Sequence, residues 1–388
     1  MEHAFLLSTG RAGMTLLLGA LRRLAGSGES RVGTVRDEVV LPTYTCYSVA
    51  ASVVKAGLRV RLVDIDPSTL DYDVDRLHDT DLSRTLAIVA TNLYGLPGDL
   101  PALSRFASAR GIFLVDDAAQ AMGARVGGRA SGTWGDAGLF SFDKGKNVSA
   151  IDGGVLVTHS ERLAEALRHD VGQLHRPGTG ESLGGVLKAL GYATLLRPSV
   201  YWIPNRIPQL GLGRTVFTTE YPIEQPIPAL TALAITMMRR LDAFTRTRQA
   251  NAAAMLGELS AVPAIRTVRP LAGSTPVYLR LPVLAANAVM RDTLLAALND
   301  AGIGASGSYP RSLADVPDLR PSLANPDAPS EGGREVASCL VTLPTHGLLT
   351  ASDRRRALDT IARVTAGTTA SPSRSTARPP TKSPVCAE

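Results

Sequence analysis

Lysine is scarce in this chain: five occur in 388 residues, at positions 55, 144, 146, 188 and 382, although Lys and Arg together number 41. Chemistry that needs an amine nucleophile therefore has few candidates, and two of them, Lys144 and Lys146, share one short stretch. Cysteine is scarcer still. Cys46, Cys339 and Cys386 form an odd set without the spacing of a disulfide framework or of zinc ligands, which fits a reducing cytoplasm and no metal site. No apolar run reaches the length of about 18 residues that spans a bilayer, so no transmembrane helix is expected. The apolar opening carries Glu2 and is broken by Gly10, Arg11 and Gly13, unlike a secretory leader.

What is present is the composition of an ordinary globular protein, long enough for two domains at about 100–200 residues each. The formal charge of +6 comes from arginines scattered in pairs rather than gathered on one stripe, which argues against a nucleic-acid partner. Between residues 35 and 160, short apolar runs at 38–41, 58–63, 86–90, 112–115, 138–142 and 155–158 alternate with helical segments near 48–56 and 99–110. This pattern predicts an α/β fold with a mostly parallel central sheet, and ligands of such sheets lie at the carboxyl ends of the strands. A smaller C-terminal α+β domain follows, with a long helix over 229–259, strands at 277–281 and 340–343, and helices at 286–301 and 351–364. The expected division is 1–225, 226–366 and a disordered Ser/Thr/Pro/Arg-rich tail at 367–388. The stretch 184–213 is apolar and proline-punctuated, with Tyr192, Tyr201, Trp202 and Ile203. It reads as an excursion facing the core or a dimer partner, and alternatively as a weak membrane-surface contact.

Four loops carry the chemistry. Ser8-Thr9-Gly10-Arg11-Ala12-Gly13 precedes an apolar helical run over 14–24, and a small-residue turn opening a helix offers N–H groups to a phosphate. Asp116 and Asp117 stand where an apolar strand ends. A pyridine nitrogen stays protonated beside a carboxylate; Asp117 is chosen for that role, and Asp116 fits a turn carboxylate. The run from Leu139 to Asn147 leads from a strand into a polar loop bearing both lysines. A Schiff base needs an amine that can lose its proton, which makes Lys146 the candidate nucleophile and Lys144 its competitor. Asp152-Gly153-Gly154 alone reads as a tight turn.

Taken in order, Asp116 to Ala121, Phe140-Ser141-Phe142 with Lys146-Asn147, and Ile151 to Gly154 resemble the DegT-type aminotransferases that depend on pyridoxal phosphate (PLP). That family carries Glu-Asp-Ala-Ala-Gln-Ala, Phe-Ser-Phe before Lys-Asn, and Gly-Glu-Gly-Gly. Pro42-Thr43-Tyr44-Thr45, Val63-Asp64-Ile65-Asp66, Leu93-Tyr94-Gly95 and Leu343-Pro344-Thr345-His346 extend the resemblance over roughly 5–365. It implies the PLP-dependent transferase fold type I (aspartate-aminotransferase-like). It also implies that Lys146 is the Schiff-base lysine and the general base and acid, that Asp117 partners the pyridine nitrogen, and that Gln120 lies near the phenolic oxygen. Ser141 and the Gly10-Arg11 turn would contact the phosphate. An amino acid, commonly glutamate, would give its amine to the cofactor, and a keto substrate, in many members a keto-sugar nucleotide, would take it. A homodimer follows by analogy.

Some positions depart from the pattern. Cys46 stands where an aromatic residue often stacks on the ring, so Tyr44 or Tyr47 is assigned that task, with a place in the core as the equal alternative for both. The family's Gly-x-Asn-Tyr-Arg segment is replaced by Glu224-Gln225-Pro226. Tyr309-Pro310 is kept, Arg311 offers a planar fork to a carboxylate or phosphate or else a solvated surface charge, and His346 is a candidate for shaping the substrate pocket. A PLP lyase or dehydratase, or a non-catalytic protein of this fold, is the alternative; sugar dehydratases of the family carry histidine in place of the lysine, which Lys146 does not match.

Overall fold

The computed structural model describes residues 1–27, 35–195 and 216–369, and its main sheet has seven strands. They are β1 (His3–Leu7), β2 (Glu38–Pro42), β3 (Arg59–Val63), β4 (Thr85–Thr91), β5 (Phe113–Asp117), β6 (Ala137–Ser141) and β7 (Gly154–Thr158). Their spatial order is β1-β7-β6-β5-β4-β2-β3. Neighbours from β3 through β6 pair parallel, and β7 runs antiparallel to both β6 and β1. Helices cover both faces, which is why β2 and most of β4 are continuous buried apolar runs rather than alternating ones.

Local chemistry sets the crossings. Helix α1 (Gly10–Ser27) leaves β1 and buries Leu17, Leu18 and Leu21 in the main core. Helix α2 (Tyr47–Lys55) follows β2, and the short α3 (Val74–Asp79) is capped by the Asp73 carboxylate. Helix α4 (Leu100–Ala109) starts at Asp99, whose carboxylate accepts the Ala102 N–H, and ends before Gly111 in the left-handed region. Helix α5 (Glu161–Gly172) follows β7 under a Ser160 cap.

The remaining α-helices among the described residues are α6 (Thr179–Leu195), α7 (Pro228–Met238), α8 (Leu241–Leu259), α9 (Ala288–Asp300), α10 (Glu331–Cys339) and α11 (Ala351–Thr369). Helices α8 to α11 surround an antiparallel sheet of β8 (Ile265–Thr267), β9 (Arg280–Ala285) and β10 (Leu340–Pro344), whereas α6 and α7 pack on each other. Met255, Leu281, Leu294, Val341 and Ile361 make a second core there. The C-terminal portion is nevertheless clamped to the first. Leu313, Leu319, Leu323 and Val336 belong to the main core. Asp64 accepts the Gly332 and Gly333 N–H groups at 2.8 and 2.9 Å at the start of α10.

Several boundaries differ from expectation. The helix over 229–259 is two, α7 and α8, broken at Arg239 and Arg240, whose dihedrals stay close enough to helical that the residue pattern does not lapse. The strand expected at 277–281 begins at Arg280, because Tyr278 is left-handed at φ 53 and cannot continue an extended chain. Residues 184–195 of the apolar stretch belong to the helix Thr179–Leu195, and Tyr201, Trp202 and Ile203 lie outside the described residues. The last helix runs to Thr369, past the expected start of a disordered tail at 367, and 370–388 lie outside the described residues.

Candidate active site

Parallel strands end on one edge of the sheet, and the loops after them enclose a cavity of about 280 Å³. Thr9, Gly10 and Arg11 come from the loop after β1, and Thr45, Cys46 and Ser48 from the start of α2. Asn92 follows β4, Asp117 and Gln120 lie at the end of β5, and Ser141, Lys144 and Lys146 follow β6. The sequence candidates Gly10, Arg11, Asp117, Gln120, Ser141 and Lys146 thus meet in one place, where open α/β sheets hold their ligands.

The two aspartates at the end of β5 part company, as neighbours on a strand must. Asp117 lines the cavity and accepts the Ala119 N–H at 2.9 Å. Burial raises its pKa, opposed by that hydrogen bond and by the nearby charge of Lys146. Asp116 points away. It accepts Asn92 Nδ2 at 2.9 Å, the Gly132 N–H at 2.6 Å and the Trp134 N–H at 3.0 Å, and burial pushes its pKa up to about 6. Asp116 therefore holds the loop before β6, and Asp117 is the carboxylate offered to a ligand.

In the same cavity wall Thr9 caps α1 through its hydroxyl, which accepts the Ala12 N–H at 3.1 Å. Gly10 lies against Ser141, and a Cβ built on it would come within 3.3 Å of the serine's Cβ. Gly154 is required by a closer approach: a Cβ there would stand 2.6 Å from Gly10 N and from Thr9 C. The Asp152-Gly153-Gly154 run is thus more than a turn, since it lets the helix-opening loop sit on β7. The Arg11 guanidinium stacks 4.6 Å from the Tyr221 ring centroid, and the Tyr221 hydroxyl is 2.7 Å from Thr15 Oγ1.

Gln120 is held at both ends, accepting the Tyr94 N–H and donating to Tyr309 Oη, each at 2.9 Å. Lys144 turns outward, with Nζ 5.0 Å from the Tyr192 ring centroid, although its residue contributes to the cavity wall.

Other candidates fall elsewhere. Tyr44 is wholly buried behind the cavity, its hydroxyl 3.4 Å from that of Tyr94 and its ring edge-on to Tyr309 at 5.6 Å. The stacking role assigned to it is corrected accordingly: Tyr44 is a core residue, and Thr45 and Cys46 face the cavity instead. Tyr47 likewise spends its hydroxyl on the Arg311 backbone. Tyr309 touches the site through Gln120. Arg311 and His346 are exposed and do not line the cavity. Sequence reasoning missed Asn92, which lines the cavity and donates to Asp116 and to the Asp117 carbonyl; its place directly after a parallel strand was the available signal.

The residues present fit pyridoxal phosphate: a lysine and a buried carboxylate share a cavity whose wall also includes a capped helix start beside a serine. Comparison with known proteins agrees. The chain is 38% identical over 133 residues to a UDP-N-acetyl-3-dehydro-alpha-D-glucosamine 3-aminotransferase of Acidithiobacillus ferrooxidans, covering 34% of this chain and 36% of that protein. It is 30% identical over 229 residues to a GDP-perosamine synthase of Caulobacter vibrioides, covering 54% and 59%. The chain thus spans about a third of the length of the first relative and under two thirds of the second. The crystal structure of the aminotransferase TlmJ from Streptoalloteichus hindustanus superposes with a TM-score of 0.73 at 26% identity, covering 95% of this chain and 87% of that one. The fold is the PLP-dependent transferase fold type I. With the family's sequence profile matching residues 1–362, the chain belongs to the DegT/DnrJ/EryC1/StrS aminotransferase family.

Proposed function

We propose that this chain is a PLP-dependent aminotransferase that moves an amino group from an amino acid, glutamate foremost, onto a keto-sugar nucleotide. One observation carries the proposal: Lys146 and the buried Asp117 line the same cavity, close enough for the lysine's charge to act on the carboxyl. The relatives named above, two of them acting on nucleotide sugars by their names, support the acceptor class.

Bound there, pyridoxal phosphate supplies an electron sink for breaking a bond at the donor's α-carbon. Asp117 would keep the ring nitrogen protonated, since a carboxylate in a dry site favours a neighbouring positive charge. Ser141 and the Thr9-Gly10-Arg11 turn would hold the phosphate by hydroxyl, helix-terminal N–H groups and guanidinium. Lys146 Nζ would anchor the group and, when free, would act as base and acid in moving a proton between the substrate carbon and the cofactor, in one direction with the donor and in the other with the acceptor. Gln120, pinned at both ends, would fix the ring's edge. The proposal includes a homodimer, because sites of this fold form between subunits, and a cytoplasmic enzyme, consistent with the free thiols Cys46 and Cys339.

The test is borohydride reduction of protein loaded with PLP, followed by peptide mapping. Label on Lys146, and bleaching of the visible band by glutamate with recovery on adding a keto-sugar nucleotide, is the expected result. An unlabelled Lys146 overturns the proposal, and a band that glutamate never bleaches favours a lyase.

A further inference from the structure

Arg11 stands in the walls of two cavities, the active-site cavity and a second of about 280 Å³ that Ser8, Asp152, Tyr221 and Glu224 help to line. Its guanidinium has two spaces to reach into, so its direction has to be set. Among the described residues Arg11 forms no ion pair, and neither does Lys55. Both cations lie against one aromatic ring instead. Arg11 Cζ is 4.6 Å and Lys55 Nζ 4.7 Å from the ring centroid of the buried Tyr221. Lys55 also donates to the Thr219 carbonyl at 2.9 Å, which fixes the segment that carries the ring. The kind of support matters. A carboxylate would orient the guanidinium and also neutralise it, whereas a ring face attracts a cation and leaves its charge and N–H groups for a ligand.

The other end of the tyrosine grips the backbone of the same arginine. Thr15 and Ser52, both buried, donate to the Arg11 carbonyl at 3.0 and 3.1 Å. Their hydroxyls lie 2.7 and 3.3 Å from Tyr221 Oη. With the Thr15 proton on that carbonyl, the phenol is the donor of the 2.7 Å bond. Tyr221 thus meets Arg11 twice, at the guanidinium through its ring and at the carbonyl through two hydroxyls. An arginine that binds an anion ordinarily loses rotamer freedom in doing so. Here that freedom is removed before the ligand arrives, which strengthens binding without a new contact.

We propose that Tyr221 is a positioning residue that aims Arg11 at the anionic group in the active-site cavity and so sets the chain's preference for a phosphorylated ligand. The identity of that ligand as PLP rests on the aminotransferase reading above. The test compares wild type, Y221L, Y221F, R11M and R11M/Y221L by equilibrium titration with PLP and with pyridoxal, and by thermal melts of the cofactor-free chain with and without inorganic phosphate. In Y221L the preference for PLP over pyridoxal should fall roughly tenfold, the worth of a desolvated ring–cation contact. In Y221F, which keeps the ring, it should fall by roughly twofold to threefold. Once Arg11 is gone, removing the ring should change the preference less than about twofold, because the two effects are coupled. The rise in Tm that phosphate gives wild type should shrink in Y221L and vanish in R11M. Circular dichroism verifies folding, and should Y221L not fold, an unchanged preference in Y221F overturns the proposal. Equal losses for PLP and pyridoxal in Y221L, or an undiminished effect of Y221L without Arg11, overturn it as well and leave the aminotransferase reading in place. A wild-type chain that binds neither PLP nor phosphate overturns both. Stabilisation by phosphate that depends on Tyr221, in a chain that does not bind PLP, supports the positioning role and sinks the aminotransferase reading alone.

Discussion

Arg248 Nε donates to Asn147 Oδ1 at 2.9 Å, fastening the residue beside Lys146 to helix α8. The Asn147 amide in turn donates to the Met122 carbonyl at 2.9 Å and to Thr245 Oγ1 at 3.0 Å. The same guanidinium donates to the Leu279 carbonyl at 2.8 Å and to Thr345 Oγ1 at 3.1 Å. Burial, with Arg280 nearby, pushes its pKa down to about 10, so it remains charged at neutral pH. One side chain thus ties the lysine loop to the C-terminal portion. Replacing it by methionine removes the donor from a buried amide oxygen and should cost about 2–4 kcal/mol in urea denaturation. R248K keeps the charge without the planar fork and should recover less than half of that loss.

The two lysines of the loop after β6 should separate cleanly. K146A should abolish the visible band of the PLP-loaded protein and the borohydride label together. K144A should retain both, since the Lys144 amine lies out against Tyr192. Labelling of Lys144 in the wild-type protein would refute the assignment.

Asp117 and Asp116 should differ as sharply. D117N should lower amino transfer by roughly a hundredfold or more, since a preorganised charge at the reacting group is lost. D116N should act on stability, with a pH signature. The folded-state pKa of Asp116 is raised to about 6, whereas an unfolded aspartate titrates near 3.9. A raised carboxyl pKa contributes stability that is fully present below the unfolded pKa and is lost as pH rises through the folded one. Between about pH 4 and 6 the wild-type advantage over D116N should therefore shrink by roughly 3 kcal/mol. Chemical melts of both proteins without cofactor measure this, and a difference that is flat or grows with pH contradicts it.

Much of the large sheet was legible because its strands are buried on both faces. The apolar runs at 38–41, 86–90 and 155–158 match β2, β4 and β7 to within a residue at each end. The edge strand β1 was not, since its burial alternates and its sequence runs straight into an apolar helix. Among site residues, those at a strand end were readable: Asp117 and Ser141 close β5 and β6, whereas Lys146, five residues on, was singled out from Lys144 by the family resemblance. Tyr44 was misassigned because a tyrosine near a loop looks the same whether its ring faces a ligand or packs on Tyr309. That choice belongs to the C-terminal portion, which delivers Tyr309 from some 265 residues away. Arg248 was invisible for the same reason, as its partners Asn147 and Thr345 lie 101 and 97 residues distant in sequence.

The last prediction concerns Gly154, whose missing side chain lets two backbones touch. An alanine there would put its Cβ 2.6 Å from Gly10 N and Thr9 C, and neither atom is a flexible tip that can swing aside. The opening turn of α1 must shift, or β7 must. Overpacking of this kind costs about 1–3 kcal/mol. Gly172 at the end of α5 has open space where a Cβ would go, so G172A should be neutral or stabilising by up to about 1 kcal/mol. If the α1 turn is the phosphate seat, G154A should also weaken PLP binding by roughly tenfold, about the value of one hydrogen bond to a charged group. Binding of pyridoxal, which lacks the phosphate, should fall much less. Equal losses for the two ligands in equilibrium titrations would locate the damage elsewhere and leave the turn without its assigned role.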